Sequence, residues 1–243
     1  MQDDSKLLQR YVQQGSQSAF SQIVARRLNF VYSVCLRETE DTVLAEDAAQ
    51  VVFLLLARKA ASLHVETSLS GWLFQTARFT ARNIRRREAR RLLWEKEARE
   101  NMAVPSTEED SLWQQVRPAL NEALASLSAK DREAILLRFA DDMNFSELGA
   151  ALGTSEDAAR MRLNRAVQRL RGFFAKQGVT LSGVALVGVL TQRTAEAAPA
   201  AAAARLAGIR FAGSGAAVNP QVIFHLLRSN KSNGIRKAET RRD

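Results

Sequence analysis

The chain has 243 residues, a formal net charge of +9 and a pI near 10.4. Such an excess of lysine and arginine points to a polyanionic partner, either nucleic acid or an anionic membrane surface. The single cysteine, Cys35, excludes an intrachain disulfide framework and fits a reducing cytosol, and two histidines without a second cysteine leave no zinc ligand set.

In chain order, the polar start with Asp3 and Asp4 is unlike a signal peptide, and a cytoplasmic location is expected. From Ser5 to about Glu100 there is no proline and little glycine, which predicts nearly continuous helix. Leu7, Leu8, Tyr11 and Val12 form a short amphipathic stretch. Phe20, Ile23, Val24, Leu28, Val31 and Cys35 mark the apolar stripe of the next. A third helix is predicted over Thr42–Lys59, with Asp47, Gln50 and Leu54 on one stripe beside Phe53. A polar pair set in an apolar face suits either a protein interface with a hydrogen-bonding centre or a local cap. The loop from Ala61 to Gly71 carries His64, Thr67 and Ser68. Hydroxyl and imidazole groups there could read the edge of an unstacked base, although His64 alone fits a packing role as well.

A long helix is predicted to begin near Trp72. It carries Arg78, Arg82, Arg85, Arg86, Arg87, Arg90 and Arg91 against Glu88 alone. Clustered like charges repel one another until a counter-charge arrives, so the stretch is expected to meet phosphate or acidic protein. Trp72, Thr76, Phe79 and Asn83 share the other side, where apolar residues usually pack inward. Residues 101–111, with Pro105 and the acidic run Glu108-Glu109-Asp110, read as a linker.

The second helical block, residues 112–177, holds a helix-turn-helix pattern between Asn144 and Arg171. Asn144 with Glu147 three residues on forms a capping-box signature. Gly153 ends that helix, and Thr154 and Ser155 are good caps for the next, with Glu156 and Asp157 in its first turn. Ala159, Leu163, Ala166, Val167 and Leu170 fall on one face. Arg162, Arg165 and Arg169 fall on another, flanked by Arg160. The pattern fits a helix laid in a major groove, and equally an amphipathic pair with a solvated basic face. Beyond Gly178 the composition turns rich in Ala and Gly and ends in a basic tail, where disorder is expected. Its most apolar run, Gly183 to Leu190, is far short of the roughly 20 residues a membrane span needs, so no span is expected.

Four segments in this order resemble the bacterial sigma factors of the extracytoplasmic-function group. They are Ala45-Glu46-Asp47-Ala48-Ala49-Gln50, Gly71-Trp72-Leu73-Phe74 running into Arg85-Arg86-Arg87, Leu124-Ala125-Ser126-Leu127 with Arg132–Arg138, and the helix-turn-helix from Glu147 to Ala166. The resemblance implies an all-α chain of two small domains. Region 2 would occupy residues 1–100 and region 4 residues 112–177, with 178–243 as a C-terminal extension. It implies core RNA polymerase as a partner, through the beta-prime clamp helices and the beta flap. Asp47, Gln50, Phe53 and Leu54 would stand at the clamp contact. It further implies promoter DNA, with His64, Thr67 and Ser68 holding a flipped base of the −10 element and Arg78 and Arg82 holding nearby phosphates. Ser155, Glu156, Arg160, Arg162 and Arg165 would read the −35 element. Met161 stands where the family usually has a small hydroxyl residue, which implies an altered promoter preference. Control would come from an anti-sigma factor or from the chain's own extension. No nucleophile–base pair, metal-ligand cluster or phosphate-cradling glycine loop is apparent, so neither an enzyme nor a cofactor is expected. The alternative is a stand-alone operator-binding regulator, which leaves the Asp47–Gln50 helix and the first basic helix unexplained.

Overall fold

The computed structural model describes residues 4–63, 68–95, 111–193 and 197–207, and all their regular elements are helical. The linker, His64, Thr67 and the basic tail lie outside the described residues.

Helices α1 (Asp4–Gln14), α2 (Gln17–Thr39), α3 (Thr42–Lys59) and α4 (Leu69–Glu95) form the first unit. Local chemistry sets their ends. Ser16 accepts from Ala19 N at 3.3 Å to cap α2, and Asp41 accepts from Leu44 N at 2.8 Å to cap α3. Between those helices Glu40 takes a left-handed conformation with φ 57, so the chain reverses in two residues. Ser68 Oγ accepts from Gly71 N at 3.3 Å and caps α4, which therefore starts slightly before the expected Trp72.

The hub is α2. Every residue from Phe30 to Thr39 is buried, so this stretch is enclosed on all sides and not half-solvated. It nevertheless contains Ser33, Arg37, Glu38 and Thr39, and buried polar groups must find partners. Ser33 donates to Asn29 O at 2.7 Å, and Thr39 donates to Cys35 O at 3.0 Å. Arg37 Nε donates to Asn121 Oδ1 at 2.9 Å, and Glu38 accepts from α4.

The second unit consists of α5 (Ser111–Ser126), α6 (Ala129–Phe139), α7 (Phe145–Ala151) and α8 (Glu156–Lys176). It does not stand apart from the first. One continuous apolar core runs from Leu7 through Phe74, Leu120 and Leu163 to Leu206. Asn121 on α5 donates to Val34 O of α2 at 2.9 Å, completing the exchange with Arg37.

Two helices of the C-terminal extension are ordered against this body: α9 (Gly183–Arg193) and α10 (Ala200–Ala207). Ser182 Oγ accepts from Ala185 N at 3.0 Å to cap α9, and Arg171 Nε holds Leu181 O at 2.9 Å. Helix α9 packs on α8 and α5, while α10 packs on α2, where Asn29 Oδ1 accepts from Ala198 N at 3.0 Å. The extension thus touches both units. Among the described residues no helix is long and apolar enough to cross a membrane.

Candidate nucleic-acid interface

The helix-turn-helix is built as the spacing predicts. Asn144 Oδ1 accepts from Glu147 N at 3.0 Å and Glu147 Oε2 accepts from Asn144 N at 2.9 Å, so the capping box is closed at both ends. Gly153 has φ +63, which a glycine adopts without a Cβ clash. Gly149 serves a second purpose. A Cβ there would stand 3.0 Å from Thr154 O and 3.1 Å from Glu156 N, so only glycine lets α7 lie this close to the start of α8. Ser155 caps α8 by accepting from Ala158 N at 3.2 Å.

The predicted apolar face of α8 is buried throughout, from Ala159 to Leu170. Its arginines are less alike than their spacing suggested. Arg160 is exposed, but it is tied to Glu156 Oε1 at 2.9 Å and lies 4.7 Å over the Phe145 ring. Arg169 is held by Asp131 of α6. Arg162 is half-buried beside Glu133, whose carboxyl is pushed up by burial and drawn back by the Arg162 charge. Arg165 is exposed and makes no ion pair among the described residues. Ser155 and Glu156 are both exposed at the start of the helix.

The arginines of α4 meet a counter-charge that the local sequence conceals. Glu38, buried in α2, accepts from Arg78 Nε at 3.0 Å with one carboxylate oxygen and from Arg82 Nε at 2.9 Å with the other. Arg85 adds a bond to Glu38 O at 2.8 Å. The Arg78 side chain is only 16% exposed and that of Arg82 42%, so the first is largely a structural cation and the second keeps an outward edge. A signal was available: a carboxylate within a run buried on all sides needs a cation, and α4 supplies a row of them. On the other side of α4, Trp72 and Phe79 are half-buried against Val51 and Leu55 of α3, as their spacing predicts. Ser68 is half-buried at the head of α4, beside the loop expected to hold a base.

On α3, Asp47 is exposed and Gln50 half-buried. Phe53 has no exposed surface and Leu54 is 8% exposed. The family resemblance groups these two with Asp47 at the clamp contact, but their side chains belong to the core and support the helix from inside. Among the described residues no group of three or more His, Cys, Asp and Glu side chains is placed to hold a metal.

The chain matches two family models: Sigma-70 region 2 over residues 23–91, and Sigma-70, region 4 over residues 123–172. It is similar to the RNA polymerase sigma factor CarQ of Myxococcus xanthus, 33% identical over 158 residues that cover 65% of this chain and 90% of that protein. The chain belongs to the sigma-70 family. Within it the extracytoplasmic-function group is the matching one, as similarity to the ECF RNA polymerase sigma factor SigW of Bacillus subtilis also indicates. SigW is 24% identical over 179 residues, covering 67% of this chain and 92% of SigW. A probable RNA polymerase sigma factor, RfaY of Xanthomonas campestris pv. campestris, is 32% identical over 203 residues. That match covers 79% of this chain but only 51% of RfaY, so the chain spans about half the length of this relative. In family terms, α3 and nearly all of the described basic helix fall in sigma region 2, and the complete helix-turn-helix falls in sigma region 4.

Proposed function

We propose that this sigma-family chain directs DNA-dependent RNA polymerase to promoters, reading a −35 element with α8 and a −10 element with the loop before α4 and the exposed edge of α4. The observation that carries the reading is the pairing of a helix-turn-helix, with an outward-facing Arg165, and a second basic helix in one chain. A polyanion contacted at two separated surfaces suits a promoter better than a short operator. Asp47 and Gln50, on the solvent side of α3, are the residues assigned to the beta-prime clamp helices, and region 4 is assigned to the beta flap. His64, Thr67 and Ser68 are assigned to an unstacked −10 base, Arg82 to a phosphate, and Arg78 to holding α4 in register. Ser155 and Glu156 stand at the end of α8 that would enter the groove. The protein does no covalent chemistry in this role and works inside the cell beside the polymerase.

The test is reconstitution. The purified chain is mixed with bacterial core polymerase and a pool of promoter-length duplexes, and complex formation and run-off transcripts are measured. Stable association with core and transcripts from discrete starts are expected. Tight binding to DNA without any association with core would instead identify a stand-alone regulator.

A further inference from the structure

We infer that Met161 is a base-reading residue, packing its thioether against the C5-methyl group of a thymine in the major groove. The inference rests on the promoter-binding reading of α8 and adds to it a specificity that the arginines do not supply.

The argument begins with what α8 leaves outward. Successive residues turn by about 100° along a helix, so the stripe opposite Ala159, Leu163, Ala166 and Leu170 is fixed by arithmetic. It consists of Asp157, Met161, Asn164, Arg165 and Gln168, and all five are exposed. Met161 stands at its centre, in the second turn after the Ser155 cap, with 61% of its surface in solvent. The N-terminal turns of the second helix are those that reach base edges when such a unit docks.

Single exposed apolar residues are common and need no explanation by themselves. Here the surroundings matter. Arg160 is committed to Glu156 and the Phe145 ring, Arg169 to Asp131, and Arg162 is half-buried at Glu133. Two of the long cations flanking the stripe, Arg160 and Arg169, are therefore engaged by carboxylates of the protein. Among the described residues Met161 joins none of the apolar clusters. The centre of the outward stripe is thus an apolar side chain that packs into none of them. In the major groove the only apolar group on any base edge is the thymine methyl. Cytosine has only a hydrogen where thymine carries this methyl, and the purines present N7 and a polar O6 or N6, so thymine alone offers the thioether a methyl partner. Methionine is unbranched and polarizable, so it adapts to a methyl group without a fixed geometry. Asn164 and Gln168 on the same stripe carry the amide that suits adenine, so the outward face is composed for A·T pairs with Arg165 available for a guanine.

The test uses the full chain assembled with core polymerase. Transcribed duplexes are selected from a library randomised across both promoter elements. Each thymine of the selected −35 element is then replaced by uracil, which removes the methyl group and nothing else. One position is expected to lose roughly fourfold in transcription, the worth of one buried methyl group. With Met161→Ala that uracil penalty should vanish at the same position, and with Met161→Leu it should persist. Indifference of every thymine position to uracil, or an undiminished penalty in Met161→Ala, overturns the inference while leaving the promoter reading intact. A library from which nothing is transcribed overturns the promoter reading, and this inference with it.

Discussion

Arg27 on α2 and Asp141, in the turn after α6, lie 114 residues apart in sequence and form one ion pair with side chains only 13% and 5% exposed. Asp141 also accepts from Ser70 Oγ at 2.7 Å, so a single carboxylate from the second unit ties together α2 and α4 of the first. Asp4 holds the other edge of Arg27. The pair is therefore a fastening between the two units. Asp141→Ala leaves a buried guanidinium with only Asp4 to face, and removal of one member of a buried pair costs about 3 kcal/mol. The expected result is a loosened junction, seen as a larger radius of gyration in small-angle scattering and a lower urea midpoint. An unchanged radius together with an unchanged midpoint would show that the apolar core alone fixes the units.

Glu38 is the counterpart inside the first unit. Glu38→Ala strands Arg78 against a buried void and releases Arg82, and a loss of about 3 kcal/mol is expected in equilibrium urea unfolding. Glu38→Gln keeps the shape and two polar atoms, so it should cost less. Equal losses for the two variants would mean that packing, and not charge, holds the start of the basic row.

The close approach at Gly149 makes a sharper demand. Gly149→Ala pushes a methyl group against Thr154 O and Glu156 N, which are backbone atoms that cannot swing aside. Overpacking of this kind costs about 2 kcal/mol. The thermal midpoint should fall, and DNA binding should weaken because α7 and α8 are forced apart. A variant as stable as the parent would show that the turn can shift without penalty.

Arg165 and Arg169 separate reading from support. Arg165→Ala should reduce transcription in a base-dependent way, by about 1–3 kcal/mol at one −35 position, if its fork grips a guanine. Arg169→Ala instead removes a cation held by Asp131, so its effect should be small and the same for every promoter sequence. Transcription measured across single-base variants of the −35 element distinguishes the two patterns.

Cys35 is enclosed between α2 and α4, with its thiol 4.0 Å from Ala77 O. Burial pushes its ionisation far above the usual thiol range, opposed by Arg37 and reinforced by Glu38. The thiolate is the reactive form, so a disulfide reagent should label native protein slowly between about pH 7 and 9, and rapidly in urea. The sign for stability follows. The unfolded chain ionises its thiol near pH 8.5 while the folded chain does not, so this contribution is fully present below about pH 8.5 and declines as pH rises. Rapid native labelling would mean that the α2–α4 crossing opens readily.

The contrast between these residues shows which parts of the fold were legible in the sequence. The bounds of α3, the capping box at Asn144 and the buried face of α8 were readable because caps and helical periodicity act over a few residues. Periodicity says which face a residue occupies, but not what stands opposite. In sequence the seven arginines of α4 therefore face Glu88 alone, although Glu38 waits 40 residues before Arg78. Phe53 shares a helix with Asp47, yet its side chain is fully enclosed in the core. Arg169 likewise meets an acidic partner, Asp131, that only folding brings to it, whereas Glu156 and Arg160 pair one turn apart within α8.

The bond from Ala198 N to Asn29 Oδ1 joins groups 169 residues apart. A nascent chain emerges from the ribosome N-terminus first, so α2 is made long before the segment that covers it. Through that interval, the strip of α2 later covered by α10 stays open to water and to other surfaces. The covering of α2 therefore waits until residues beyond Ala198 have been made.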